Sequence, residues 1–133
     1  MNGPIPASWA PHLRSALRLV AAYAFMLHGA QKLFAWPVVE PQDPVELMSL
    51  VGLAGVIEVV GGALLLAGFL TRPVAFLLAG EMAVAYFMAH APSSPLFPLL
   101  NGGEPAVLYC FIFLYLGAAG PGPWSVDGQL TKS

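Results

Sequence analysis

The chain has 133 residues, of which 58% are hydrophobic and only 9% are charged, with a net charge of −2 and a mean hydropathy of +0.75. Soluble domains carry roughly 25% charged residues, so this composition excludes an ordinary soluble protein and predicts one small domain in a membrane. The weak net charge and the lack of a basic cluster exclude a nucleic-acid-binding protein. The single cysteine, Cys110, excludes an internal disulfide, a CxxC redox pair and a cysteine-based zinc site.

In chain order, the predicted elements are an irregular leader, four apolar helices and a short tail. The leader covers residues 1–12, the helices cover about residues 13–36, 48–70, 73–91 and 105–119, and the tail covers residues 121–133. The first three helices approach the roughly 20 residues that cross a bilayer core, and the fourth is shorter. The predicted fold is therefore an all-α integral membrane four-helix bundle.

The connectors and the basic residues predict the orientation of this bundle. A tight turn at residues 71–73 makes the second and third helices antiparallel and puts both termini on the side of that turn. That side carries Arg14, Arg18, Arg72 and Lys132. The opposite side carries Lys32 as its one lysine or arginine, so the positive-inside rule predicts cytoplasmic termini in a bacterial inner membrane. We expect the arginines to anchor the helix ends at the inner interface.

Ionisable side chains inside the apolar stretches are the most informative feature. His28 and Lys32 lie in the first helix, Glu58 in the second and Glu81 in the third. Such groups are costly in a bilayer and usually face the bundle interior. Counted from the outer helix ends, His28, Glu58 and Glu81 all lie about 12–15 Å below the outer surface, and Lys32 lies one turn above His28. This common depth predicts a polar pocket open to the outer side.

Three more polar residues are predicted at the outer mouth of this pocket, namely His90, Asn101 and Glu104. His90 follows Glu81 by two and a half turns of a regular α-helix, which places it on the opposite face. The lipid headgroups are therefore an alternative location for His90.

A purely structural interpretation of the polar cluster competes with the functional one. Lys32 could extend to the interface, His28 could be a hydrogen-bonded core residue, and the two glutamates could form ion pairs that hold helices together. The common depth favours a functional pocket. Two neighbouring carboxylates, Glu58 and Glu81, would compete for ionisation, and one would then hold a proton, as a proton-coupled site requires.

Several short motifs, in their order and spacing, resemble the DoxX family over about residues 13–128. These motifs are Arg18…His28-Gly29-x-x-Lys32, Glu58-x-x-Gly61-Gly62, Gly68-Phe69-Leu70-Thr71-Arg72, Glu81, Asn101-Gly102-Gly103-Glu104, and Gly120-Pro121-Gly122 with Ser125 and Asp127. The resemblance implies a four-helix integral membrane protein linked to sulfur and thiol redox chemistry. Members of the family include a subunit of thiosulfate:quinone oxidoreductase.

The resemblance also implies candidate site residues. The catalytic candidates are His28, Lys32, Glu58 and Glu81, and the candidates for binding a cofactor are His28, Lys32, Asn101 and Glu104, with no metal expected. Because the chain lacks a cysteine pair, the implied electron carrier is a bound quinone or a partner protein.

Three functional hypotheses follow, and they leave open whether the chain is part of an enzyme. In the leading one, a redox-linked subunit binds a quinone head through His28 or Lys32, while Glu58 or Glu81 passes its protons. The alternative is a non-catalytic membrane subunit or assembly factor. The third is a small proton-coupled transporter, for which four helices are few unless the protein oligomerises. The expected partners are membrane lipid and either further copies of the chain or a membrane redox complex.

Overall fold

The computed structural model describes residues 2–132, and over that range the chain is all-helical without a strand, as the composition predicts. A 3₁₀ turn, Ala7–Trp9, precedes the helices. The helices are α1 (Ala10–Phe34), α2 (Leu50–Ala67), α3 (Thr71–Ala85), α4 (Pro98–Asn101), α5 (Glu104–Ala119) and α6 (Val126–Leu130). The four long helices α1, α2, α3 and α5 lie close to the predicted bounds. The short helices α4 and α6 were not predicted.

Local sequence signals explain where the long helices begin. The Ser49 hydroxyl accepts a hydrogen bond from the Gly52 amide at 3.0 Å, which is a typical N-cap of α2. Pro73 lies in the first turn of α3, and Pro105 lies in the first turn of α5. A first-turn proline costs no hydrogen bond, because the amides there have no partner inside the helix.

The third long helix does not end at Ala85 but continues as a π-helical turn, Tyr86–His90. The Ala91 amide donates to the Tyr86 carbonyl at 2.8 Å, the i→i+5 bond that defines such a turn. The side chains after Ala85 are therefore rotated relative to those of a regular α-helix.

The four long helices pack as neighbours around one core. Helix α1 packs along α2, α3 packs along α5, and the two pairs meet through α2–α3 and α1–α5 contacts. The core contains the fully buried side chains of Phe25, Leu65, Leu78, Phe113 and Leu116. The rings of Phe25 and Phe113 meet edge to face at 4.9 Å, which joins α1 to α5.

Helices α1 and α2 approach each other unusually closely at Gly29. A Cβ atom at Gly29 would lie only 2.8 Å from the Gly55 carbonyl oxygen and 2.9 Å from the Glu58 Cβ. A small residue is therefore required at this crossing, as is common where helices pack in membranes. The crossing lies one helical turn from Lys32 and brings that residue next to α2.

The outward faces of all four long helices are apolar. Large exposed side chains include Val20 on α1, Val60 on α2, Phe76 and Leu77 on α3, and Phe111 on α5. The segments Leu50–Ala67 and Thr71–His90 are long and apolar enough to cross a membrane, and Glu104–Ala119 is apolar but shorter. Exposed apolar surface of this extent indicates contact with lipid or protein.

Arg18 is not the interfacial anchor expected from the sequence, because its side chain is fully buried, with 0% exposure. Its Nη1 donates to the carbonyl oxygens of Leu65 at 2.6 Å and Leu66 at 2.8 Å. Its Nε donates to Pro121 O at 3.0 Å, and its Nη2 donates to Trp124 O. The last carbonyls of α2 carry partial negative charge and have acceptor capacity beyond the helical hydrogen bonds, so they attract the guanidinium into the protein.

Asp127 in the tail holds the start of α3. Its carboxylate accepts hydrogen bonds from the amides of Leu70 and Thr71, both at 2.9 Å, and its own amide donates to Gly68 O at 2.9 Å. Burial alone would raise the pKa of Asp127. The hydrogen bonds from Thr71 and Leu70, together with the charge of Arg18, outweigh burial and lower the pKa of Asp127 below its usual range.

Candidate functional site

The centre of the candidate site is an ion pair between α1 and α2. Lys32 Nζ lies 2.6 Å from Glu58 Oε1 and 2.8 Å from Oε2. The Glu58 side chain is 1% exposed, whereas the Lys32 side chain is 31% exposed. Because a lysine ammonium has three N–H donors and two reach Glu58, one donor remains for another acceptor.

A first cavity of about 180 Å³ lies on one side of this pair, between α1, α5 and the end of α3. Its polar lining consists of His28, Lys32, Glu58, His90 and Tyr109. The His28 ring meets the Tyr109 ring edge to face at 5.7 Å. The remaining lining residues are Phe25, Met82, Ala85, Gly102, Pro105 and Ala106.

A second cavity of about 290 Å³ lies between α2 and α3. It shares Lys32, Glu58 and His90 with the first cavity and adds Glu81. The rest of its lining is apolar, namely Leu50, Val51, Leu53, Ala54, Ile57, Val84, Ala85, Met88 and Ala89. Several of these side chains belong to the exposed outer face of the bundle. The second cavity therefore connects the ion pair to the apolar surface between two helices.

Glu81 is half-buried, and its carboxyl group interacts electrostatically with that of Glu58. Both carboxyl oxygens of Glu81 are buried, and neither accepts a hydrogen bond from any group in residues 2–132. Ionising two adjacent carboxyl groups raises the free energy because their charges repel each other. Ionising a buried carboxyl group that accepts no hydrogen bond also raises the free energy. Since Glu58 is paired with Lys32, we expect Glu81 to be the member of the two that carries a proton.

The π-helical turn changes the expected position of His90. A regular α-helix would place His90 on the face opposite Glu81, but the turn Tyr86–His90 rotates it so that both residues line the second cavity. His90 Nδ1 lies 3.1 Å from Asn101 O, which ties the ring to the following loop. The polar lining thus includes a histidine that the helical spacing had placed elsewhere.

Two of the predicted cofactor-binding residues lie outside both cavities. Asn101 Nδ2 donates to Ser94 O at 2.8 Å and to the Tyr86 hydroxyl at 3.1 Å, and its Oδ1 accepts from the Gly103 amide at 2.7 Å. Asparagine side chains commonly form such hydrogen bonds to the backbone of a turn. Glu104 is exposed at the first residue of α5, where the helix dipole favours a carboxylate.

The structure therefore gathers the other predicted residues, His28, Lys32, Glu58 and Glu81, around one ion pair. Sequence reasoning did not single out Tyr109, because nothing distinguishes it from the other aromatic residues of an apolar helix. It also did not recognise the buried contacts of Arg18. The signal for those contacts is an arginine within an apolar helix together with a Gly-Pro-Gly segment after the last long helix.

Comparison with known proteins shows that the chain, including these residues, is similar to a known family. The DoxX family profile matches residues 13–91, which include His28, Lys32, Glu58 and Glu81. An uncharacterized protein of Haemophilus influenzae is 41% identical over 130 residues, which cover 92% of this chain and 93% of the relative. No solved structure matches the chain.

Proposed function

Because this chain belongs to the DoxX family of membrane proteins, we propose that it is a redox-linked membrane subunit that binds a quinone head beside Lys32 and Glu58. Family membership confirms the resemblance inferred from the sequence motifs. The observation that carries the proposal is an ion pair with a buried carboxylate, whose ammonium retains one free N–H donor and opens onto an apolar cavity.

The proposal includes four membrane crossings in the bacterial inner membrane with cytoplasmic termini. Exposed apolar side chains on α1, α2, α3 and α5 support four crossings, because each long helix would present such a face to lipid. The excess of arginine and lysine at the end with the tail supports the orientation.

The donor groups and the shape of the second cavity fit a quinone. A quinone ring is apolar with two carbonyl acceptors, and the cavity combines an apolar wall with the free donor of Lys32. Its opening between α2 and α3 would admit a lipid-soluble molecule directly from the bilayer. When bound, a quinone supplies two-electron, two-proton redox chemistry, and a partner protein would exchange the electrons.

The residues around the ion pair have distinct roles in this proposal. Lys32 donates a hydrogen bond to the ligand, while Glu58 fixes the ammonium in place. Glu81 holds an exchangeable proton next to the ligand. His28 and His90 line the first cavity, which extends to the loop at Gly102, and they would relay protons to the outer side.

Titration of the purified protein with a short-chain quinone analogue tests the proposal. We expect saturable binding that weakens about tenfold or more in Lys32→Met, because the ligand loses a charge-assisted hydrogen bond. Binding should also weaken in Glu58→Gln, which no longer fixes the ammonium. Glu104→Gln is the matched control, since it makes the same chemical change on an exposed helix end outside both cavities.

Non-saturable binding by the wild type, or equal affinities for Glu58→Gln and Glu104→Gln, would contradict a quinone site. Each variant should be titrated at a temperature where its circular dichroism matches that of the wild type. Loss of binding then reports on the site rather than on unfolding.

One observation favours a non-catalytic subunit as the second candidate function. The ion pair lies beside the tight Gly29–Gly55 crossing, so it could serve only to hold α1 against α2. In that case Glu58→Gln would lower the thermal midpoint, while folded Glu81→Gln protein would support a partner complex as well as the wild type does.

A further inference from the structure

An open groove of about 530 Å³ lies at the end of the bundle where the tail packs. Its wall includes Arg14 from α1, Arg72 from α3, and Pro121 and Asp127 from the tail. Arg14 precedes Lys32 by about 27 Å of helix, so the groove is at the opposite end of the bundle from the ion pair.

The first arginine of the groove has no hydrogen-bond or ion-pair partner within residues 2–132. Arg14 Nε is buried and donates to no acceptor within residues 2–132. Arg14 also forms no ion pair with a carboxylate in the described part of the chain. Because the buried Nε cannot be reached from the groove, the Nη groups of Arg14, which form no hydrogen bond in residues 2–132 either, are the donors available to an acceptor from outside the chain.

The second arginine is held in place but keeps free donors. Arg72 Nη1 donates to the Ala118 carbonyl oxygen at the end of α5. Its guanidinium packs over Gly120, where a Cβ atom would lie 3.2 Å from Nη2 and where φ is +85°. Glycine at this position therefore allows the guanidinium to lie flat against the tail, with its remaining N–H groups available.

The charge balance of the groove favours an anion. Among the described residues, Asp127 is the one carboxylate in its wall, and both oxygens of Asp127 accept hydrogen bonds from the amides of Leu70 and Thr71. Two guanidinium groups thus face one carboxylate that is already bonded. Arginine pairs match the geometry of phosphate oxygens particularly well.

We propose that this groove binds the phosphate group of an anionic phospholipid through Arg14 and Arg72. Leu70 and Leu130 of the groove wall are 50% and 57% exposed and offer apolar contact to the start of an acyl chain. The groove also lies where the long helices end, the level of the headgroups if these helices cross the bilayer. The inference rests on that proposed membrane crossing but not on a quinone site.

Calorimetric titration of the purified protein in a neutral detergent tests this inference. Short-chain phosphatidylglycerol is the probe, and short-chain phosphatidylcholine is the neutral comparison. We expect saturable binding of the first, weakened about tenfold by Arg14→Gln and by Arg72→Gln, because each removes a charge-assisted hydrogen bond. Lys132→Gln is the matched control, since it removes one positive charge from the same end outside the groove.

The variants separate a loss of binding from a loss of folding. Arg14→Gln removes no internal hydrogen bond of the Nε atom, so its thermal midpoint should equal that of the wild type. Arg72→Lys keeps the positive charge of Arg72. It replaces Arg72→Gln in the titration if Arg72→Gln does not fold.

Two outcomes would overturn the inference. Equal weakening by Arg14→Gln and Lys132→Gln would indicate diffuse attraction to the basic end of the protein. Displacement of the lipid by inorganic phosphate at a similar concentration would assign the groove to a free phosphate ion. Neither outcome bears on quinone binding, which is measured at the other end of the bundle.

Discussion

Arg18 and Lys32 are two cations of the same helix that are stabilised in different ways. Lys32 binds a carboxylate, whereas Arg18 donates to carbonyl oxygens from α2 and from the tail. The planar guanidinium can reach several carbonyls at once because its five donors point in fixed directions. Arg18 therefore links α1 to two other parts of the chain, while Lys32 keeps a donor free for a ligand.

Arg18→Met should destabilise the protein strongly. The substitution removes the donor from the carbonyl oxygens of Leu66 and Trp124. Each buried acceptor that is left without a donor costs about 1–3 kcal/mol. The measurement is the free energy of unfolding or the thermal midpoint in detergent. Arg72→Met is the control, because this exposed arginine donates to one carbonyl and should cost less than about 1 kcal/mol. Equal effects of the two substitutions would contradict the special role of Arg18.

At the scale of elements, α3 depends on groups outside itself at both ends. Its first amides are bonded by Asp127 of the tail, and its last turn is π-helical and places His90 beside the candidate site. Leu70, just before the helix, has a left-handed conformation with φ of 53°. A leucine seldom adopts this conformation, so the hydrogen bond that the Leu70 amide donates to the Asp127 carboxylate stabilises a position that the local sequence disfavours.

Asp127→Asn should lower stability by about 1 kcal/mol near neutral pH, since a charged acceptor at a helix start is lost. The pKa of Asp127 is lowered in the folded protein, so the unfolded chain binds more protons as the solution becomes acidic. The contribution of Asp127 is therefore complete above the ordinary pKa of about 4 and is lost as the pH falls through the folded value.

Thermal midpoints of the wild type and Asp127→Asn should accordingly differ at pH 7 and converge in acid. Asp43→Asn is the matched control, because Asp43 is exposed in the loop before α2. If the thermal midpoints of the wild type and Asp127→Asn differ by the same amount down to pH 3, the contribution assigned to ionised Asp127 is contradicted.

The elements were predictable to different degrees, for physical reasons. Hydropathy alone locates the four long helices, because each must present apolar residues on nearly every side. The i,i+4 spacing of His28 and Lys32 and the depth of Glu58 also predict their proximity. The π-helical turn is not encoded by any local signal in Tyr86–His90, so the sequence left His90 between the mouth of the pocket and the lipid headgroups. The docking of Asp127 depends on distant backbone amides, which a sequence pattern does not reveal.

At the scale of the whole molecule, the two ends of the bundle differ in chemistry. One end carries the cavities around Lys32 and Glu58, and the other carries the groove lined by Arg14 and Arg72. The proposed orientation puts the cavities toward the outer side and the groove toward the cytoplasm. In the proposed function, this orientation decides from which side protons would reach the candidate site.

Accessibility of single cysteines tests the orientation. Gln42 and Gln129 are exposed residues of the same type at opposite ends of the bundle, so each can be replaced by cysteine in a Cys110→Ala background. A membrane-impermeant thiol reagent on intact cells should label Gln42→Cys and spare Gln129→Cys. Permeabilised cells provide the control for reactivity and should show labelling of both. The reverse pattern in intact cells would place the candidate site on the cytoplasmic side.

The bonding of Arg18 also has a consequence for biosynthesis. Two of its acceptors, Pro121 O and Trp124 O, follow the last long helix, so they are synthesised long after α1 has left the ribosome. During that interval the guanidinium of the first helix must be solvated by water, lipid headgroups or the insertion machinery. In the proposed topology, the membrane placement of α1 is therefore complete only once the tail has been translated.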